Sequence, residues 1–267
     1  MMNVHLGVRA GLGLIASAAL AAGVWWHTAE EPDAADPPLP DSVADPEVRA
    51  ALGRARAAVL ADPLSGAAWG EYGTVLLAHL FDREAERCFL EASRLAPKDP
   101  RWPYARGQIA LKRDPPLAVP LLTAAAAAAR GDPQYRPAFT LTLAEALFER
   151  GDIDRAAVMF ESEAARGNPR GVYGLGLVAV AGGEDVAAAR RFEAVRRNPS
   201  CSKQAAAQLA QLARRRGDLP AARAHEAEAN AIDDDAPWPD PYLDYVVTLQ
   251  VGERGVQRRV AVLERDG

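Results

Sequence analysis

The sequence is short of the side chains that most often carry chemistry. Its 267 residues hold two cysteines, Cys88 and Cys201, and no C-x-x-C pair. The four histidines are scattered at positions 5, 27, 79 and 225. The ligand spacing of a zinc site is therefore missing. His225-Glu226 opens an H-E-x-x-H pattern, but Ala229 stands where the second ligand belongs. His79 lies nine residues from Cys88, with nothing to orient its imidazole as a base. Asp233 to Asp235 lack the glycine and distal glutamate of a calcium loop. No P-loop and no G-x-S-x-G occurs. The expectation is a chain with no catalytic residue, no metal and no cofactor.

A dominant charge is also absent from most of the chain. Lysine and arginine number 31 against 36 acids, for a net charge of −5. Seven of those acids (Glu30, Glu31, Asp33, Asp36, Asp41, Asp45, Glu47) fall in residues 28–47, which contain no base. The remainder is nearly neutral, and a nucleic-acid partner would need a strongly basic face. Arg214, Arg215 and Arg216 precede Gly217 and read as a helix C-terminal turn that complements the helix dipole.

One long apolar run exists. Arg9 precedes 17 uncharged residues, Ala10 to Trp26, and acidic sequence follows. A positive start and an acidic exit place the N-terminus in the cytoplasm and the body across the membrane. Two outcomes stay open for residues 1–27. Ala19-Leu20-Ala21 offers an A-x-A cleavage site that would release a secreted protein. Alternatively the run is a short transmembrane anchor, with Trp25 and Trp26 at the far interface. No cysteine follows the run, which argues against a lipid anchor, and a single arginine argues against a twin-arginine signal. Residues 28–47 carry prolines at 32, 37, 38, 40 and 46. Like charges and prolines together predict an extended spacer there.

What the chain has in quantity is a spacing. From Trp69 it reads W-x-x-Y-G-x-x-L, then Ala85, Phe89, Ala92 and Pro97. The pattern returns about every 33 residues, a period that marks stacked helix pairs. Gly107, Ala118, Leu122 and Ala125 form the second copy, with Pro120 predicting a late start or kink in its second helix. Leu143, Ala144, Ala156 and Phe160 form the third, and Leu175, Gly176, Ala188 and Phe192 the fourth. The fifth has Leu209, Ala210, Ala222 and Ala229, with Glu226 weakening its core. Turns at Gly151-Asp152, Gly183-Glu184-Asp185 and Gly217-Asp218 each place glycine five residues before the small alanine. The same spacing carried back from Ala85 predicts a leading helix over Pro46 to Asp62, with Ala51, Ala55 and Ala58 at the matching positions. Trp238 to Gly267 reads as a last, degenerate pair through Leu243, Val247, Val256, Val260 and Leu263. Gly174-x-Gly176-x-x-Ala179 matches a dinucleotide pattern, but it falls inside a first helix, so its glycines read as packing positions.

Gly66 to Asp99 resembles the tetratricopeptide repeat (TPR) family position for position, and the resemblance extends over about 200 residues. It implies an all-α, right-handed superhelical solenoid of antiparallel helix pairs over residues 48–267, about five repeats plus degenerate ends. In that family the first helices line a concave groove. Carried across, the groove-facing residues are Arg101, Tyr104, Gln108 and Lys112 in the second repeat, and Leu141, Glu145, Phe148 and Glu149 in the third. The fourth gives Arg170, Tyr173 and Leu177, and the fifth Gln204, Gln211, Arg214 and Arg215. Rings and polar tips of this kind suit an extended peptide. The first full repeat offers Gly70 and Thr74 where the chaperone-tail subtype has lysine and asparagine, so that activity is not implied.

The expected function is a membrane-tethered scaffold, with its body extracytoplasmic (periplasmic or extracellular), that binds a protein or peptide segment in the groove. The alternatives are an accessory subunit of an envelope enzyme or of a secretion or maturation complex, and a self-assembling structural protein.

Overall fold

A computed structural model describes residues 36–253 and 255–257 of the chain. Among these residues helix follows helix, with no strand. The series opens with α1 (Pro46–Ala61), α2 (Gly66–Ala78), α3 (Asp82–Leu95), α4 (Arg101–Arg113), α5 (Pro115–Ala128) and α6 (Arg136–Glu149). It continues with α7 (Ile153–Ala164), α8 (Pro169–Ala181), α9 (Asp185–Val195), α10 (Ser202–Arg215), α11 (Leu219–Asn230) and α12 (Pro241–Thr248). The apolar run Ala10 to Trp26 lies outside the described residues, and no described helix is long and apolar enough to cross a membrane.

Five hairpin pairs, α2–α3 to α10–α11, each pack on the next and form the all-α solenoid. The small residue of a first helix meets the large residue of its partner. A Cβ on Gly73 would lie 2.8 Å from the Phe89 ring, on Gly107 2.7 Å from Leu122, and on Gly176 2.6 Å from Phe192. Phe89, Phe139, Phe160 and Phe192 are fully buried, each worth about 1.5–3 kcal/mol of burial. Gly174 is pressed against Phe160, where a Cβ would lie 2.3 Å from the ring. Both glycines of the apparent nucleotide motif are thus helix-packing positions. Cys88 and Cys201 are buried and free, and burial pushes both thiols up, that of Cys201 to about 12.

The three glycine turns share one geometry. Gly151, Gly183 and Gly217 take φ of 80°, 73° and 76°, which a residue without Cβ adopts freely. After each, an N–H reaches five residues back: Asp152 to Leu147, Glu184 to Ala179, and Asp218 to Ala213. This is the Schellman closure of a helix C-terminus. The first repeat makes the same bond, Phe81 N–H to Leu76, but puts Leu80 in the left-handed position at φ 64°.

Three local expectations change. The leading helix α1 forms over Pro46–Ala61, yet it buries Val48, Leu52 and Val59, while Ala58 is exposed. Among the described residues no first helix precedes α1, and its bulkiest ridge turns to α2 instead of the small-residue stripe. Helix α5 begins at Pro115 and runs through Pro120 with no late start. Prolines at the first turn lack an N–H that would be unpaired there anyway. The spacer expected over residues 28–47 is not free along its described part. Pro37 and Pro38 are buried, Tyr72 donates its hydroxyl to the Pro38 carbonyl, and Arg56 bonds the Pro37 carbonyl at 3.1 Å and Asp36 at 2.8 Å.

The largest correction concerns the C-terminus. Among the described residues, 238–253 do not stack as a last pair on α11. Helix α12 packs on α2, at the opposite end of the solenoid. Val247 and Val256 are exposed, and Val260 and Leu263 lie outside the described residues. The prolines at 237, 239 and 241 keep the chain out of helix until α12 begins at Pro241, later than the repeat would start a first helix.

Candidate functional site

The groove formed by the first helices is occupied by the chain itself. After α11, residues 232–240 run without helix from the N-terminus of α10 past α8 and α6 to α4, and α12 then crosses α2. We refer to residues 232–253 as the strap. Its first anchor is Asp235. Helix α10 has no side-chain cap of its own, and its free amides at Lys203 and Gln204 donate to the Asp235 carboxylate at 2.8 and 3.0 Å, with the Ser202 hydroxyl at 3.1 Å. A carboxylate at a helix N-terminus satisfies both the orphan donors and the dipole. Beside it the Ala236 N–H donates to the Pro199 carbonyl at 2.8 Å, and the Ser200 hydroxyl donates to the Pro237 carbonyl at 3.2 Å.

The second anchor is an aromatic contact. Trp238 lies against Tyr173, ring centroids 6.4 Å apart, and Tyr173 rests on Phe192. The third is buried and polar. Arg170 holds Glu145 through two bonds, 2.7 and 2.6 Å, and donates to Thr142 at 3.3 Å. Thr142 then has its proton free for the Tyr104 oxygen at 3.1 Å, and Tyr104 donates to the Asp240 carboxylate of the strap. Each donor in this relay has an acceptor, so a buried acid at 5% exposure is accommodated. Asp240 also caps α12 by accepting the Tyr242 and Leu243 amides at 3.1 and 3.0 Å.

Burial, and then the neighbouring Asp240, push the Tyr104 phenol far above its ordinary value, so it acts as a donor at all accessible pH. Burial pulls the Arg170 guanidinium down, but its bonds to Glu145 more than offset that, and it stays charged. The fourth anchor is Tyr242, fully buried, with its hydroxyl 3.2 Å from Thr74. Thr74 donates its own proton to the Gly70 carbonyl at 2.8 Å, so Tyr242 is the donor to Thr74. Glu71 of α2 receives Tyr245 at 2.7 Å and Arg101 at 3.2 Å.

No family model matches the sequence, and no curated protein matches it significantly. Solved structures do share its architecture. The chain is similar to PilW, described as a widely conserved type IV pilus biogenesis factor, at 18% identity and TM-score 0.56, covering 69% of this chain and 86% of that one. It is similar to PilF of Pseudomonas aeruginosa at 16% identity and TM-score 0.58, covering 70% and 85%. YrrB, described as a TPR protein with an unusual peptide-binding site, aligns at 14% identity and TM-score 0.55, covering 67% and 92%. The fold is a TPR solenoid.

In this TPR solenoid the expected groove residues divide. Arg101, Tyr104, Glu145, Arg170 and Tyr173 are brought together along the strap. Phe148 is half-buried against the core, Gln108 is half-buried on α4, and Lys112 is exposed at the end of α4. Gln211 is exposed, and Arg214 pairs with Glu226 of its own helix pair. The residues missed from sequence are Thr74, Thr142 and the strap's Asp235, Trp238, Asp240 and Tyr242. A signal for them existed: Thr74, too weakly polar to be a ligand clamp, is where Tyr242 reaches α2, while the space above Gly70 is taken by the Trp102 ring.

Proposed function

We propose that this protein is a scaffold that binds a polypeptide segment in its TPR groove. One observation carries the reading: the groove already holds an extended stretch of polypeptide, through backbone bonds at Pro199 and Pro237 and side-chain anchors at Tyr104 and Tyr173. Arg101, Glu145 and Arg170 orient that surface, while Gln108, Lys112, Phe148, Gln211 and Arg214 border it. The peptide-binding site in the name of YrrB and the pilus-biogenesis role in that of PilW are consistent with such work. Residues 10–26 would tether the scaffold, with the body extracytoplasmic. Arg9 before the run and the acids after it support that orientation. The stretch left to separate body from membrane is shorter than the sequence suggests, because the chain is packed on the solenoid from residue 36.

The test is photo-crosslinking of the full-length chain in native membranes, with the crosslinker at Gln108 or at Gln211. The same partner protein should be captured from both positions. Absence of any protein adduct at either would overturn the scaffold reading. Membrane fractionation of the same sample, with resistance to salt extraction, separates an anchor from a cleaved signal.

A further inference from the structure

The strap has the properties of a bound peptide more than those of a solenoid repeat. Residues 232–240 make no secondary structure of their own and are held by bonds to other elements. Two prolines, at 237 and 239, keep the stretch extended, so little chain entropy is lost on docking. The strap also fills its groove incompletely. A cavity of 490 Å³ remains beside Trp238, Pro239 and Pro241, walled by Arg136, Glu163 and Arg170. Trp238 is only half-buried.

The groove reads four features in a fixed order. A carboxylate meets the uncapped α10 amides, where Lys203 adds positive charge by bonding Asp234 at 3.3 Å. Three residues on, an indole meets Tyr173. Two further on, a carboxylate ends the Arg170–Thr142–Tyr104 relay, and after two more a phenol reaches Thr74. If the strap left, the α10 amides and the Tyr104 and Thr74 hydroxyls would exchange a protein partner for water, and Tyr173 would lose its ring contact. An occupant with matching groups recovers these contacts, and charge complementarity makes it acidic and aromatic.

We propose that the groove's partner is a protein segment carrying the chemistry Asp-x-x-Trp-x-Asp-x-Tyr, and that residues 235–242 are its built-in competitor. The proposal rests on the scaffold reading and adds the partner's chemistry. Partner affinity is then set by how often the strap is released, since apparent affinity falls with the fraction of open groove.

The probe is a fluorescein-labelled synthetic peptide of residues 232–249, titrated into the full-length protein and followed by anisotropy. It is compared between the natural chain and the isosteric strap variant Asp240→Asn/Tyr242→Phe, which loosens the strap and leaves the groove untouched. The peptide should bind the variant at least tenfold more tightly than the natural chain. The same peptide with Asp240→Ala and Tyr242→Ala should lose that gain. Trp238→Ala, which perturbs a half-buried ring only, serves as a second opened chain if the first loses helicity. Amide hydrogen exchange over residues 232–249 reports whether the strap is released. A released strap with no gain in peptide binding overturns the proposal. So does self-association of the variant in light scattering with the peptide left unbound, which would make a second copy the occupant. Peptide capture without any membrane crosslink sinks the scaffold reading alone. A membrane partner without peptide capture sinks this inference alone.

Discussion

Leu80 holds a position that glycine fills in three of the other repeats. Its φ of 64° is left-handed, and a side chain there costs about 1–2 kcal/mol. The chain tolerates it because Phe81 N–H still closes on Leu76, and the Leu80 side chain is 55% exposed and contributes little burial. Leu80→Gly removes the strain and returns part of the gain as unfolded-chain entropy, up to about 1 kcal/mol. A net stabilisation of roughly 0.5 kcal/mol is expected, raising the thermal midpoint by about 1–2 °C in far-UV circular dichroism. A midpoint that falls would show that Leu80 is held by packing. The groove residues show how much is legible at this scale. The types and positions of Tyr104, Arg170 and Tyr173 follow from repeat spacing. That Tyr104 donates to Asp240 does not, because the two lie 136 residues apart.

Between elements, glycine means opposite things in two helices. A Cβ on Gly53, inside α1, would meet nothing within 4 Å, whereas a Cβ on Gly171 of α8 would lie 2.7 Å from the Ala164 backbone nitrogen and 2.8 Å from the Phe160 carbonyl. Helix propensity favours alanine at both by at most about 1 kcal/mol. At Gly171 overpacking against a backbone that cannot step aside costs about 1–3 kcal/mol and decides the sign. Gly53→Ala should therefore stabilise and Gly171→Ala destabilise, measured as urea midpoints of otherwise identical chains. Equal shifts in one direction would contradict the close α7–α8 approach. The helix pairs themselves were legible because each is a local hairpin between small residues, closed by a glycine turn in three of the five. The register of α1 was not, because it is set by packing on α2 and not by the repeat period.

At the scale of the solenoid, the end of the strap returns to its beginning. The amides of Gly252 and Glu253 donate to Glu47 at 3.0 Å and Asp45 at 3.2 Å. Gly252 has φ 65°, and a Cβ there would fall 1.9 Å from the Asp45 carboxylate, so the closure demands glycine. Bonds from the Val48, Glu253 and Glu47 amides hold the Asp45 carboxyl below its ordinary range. A carboxyl depressed in the folded state stabilises above its unfolded value, about 3.9, and loses that contribution as pH falls through the lower folded value. Protection of the Gly252 and Glu253 amides, relative to an unstructured peptide, should thus decline as pH is lowered below about 4. Asp45→Asn, which keeps a cap on α1, should remove that pH dependence. Protection that stays constant across the window in the natural chain would show that the Asp45 carboxylate does not hold the closure.

The sequence by itself determined the repeat: which residues are small, which are large, and where each hairpin turns. Those are contacts between near neighbours in the chain, and a fixed period repeats them. Only the tertiary structure decided what fills the groove. The bonds from Tyr104 to Asp240 and from Glu253 to Asp45 join residues 136 and 208 positions apart, and they follow no period. The strap depends on an uncapped helix, a space above Thr74 and a buried donor at Tyr104, none of which exists until the solenoid has formed.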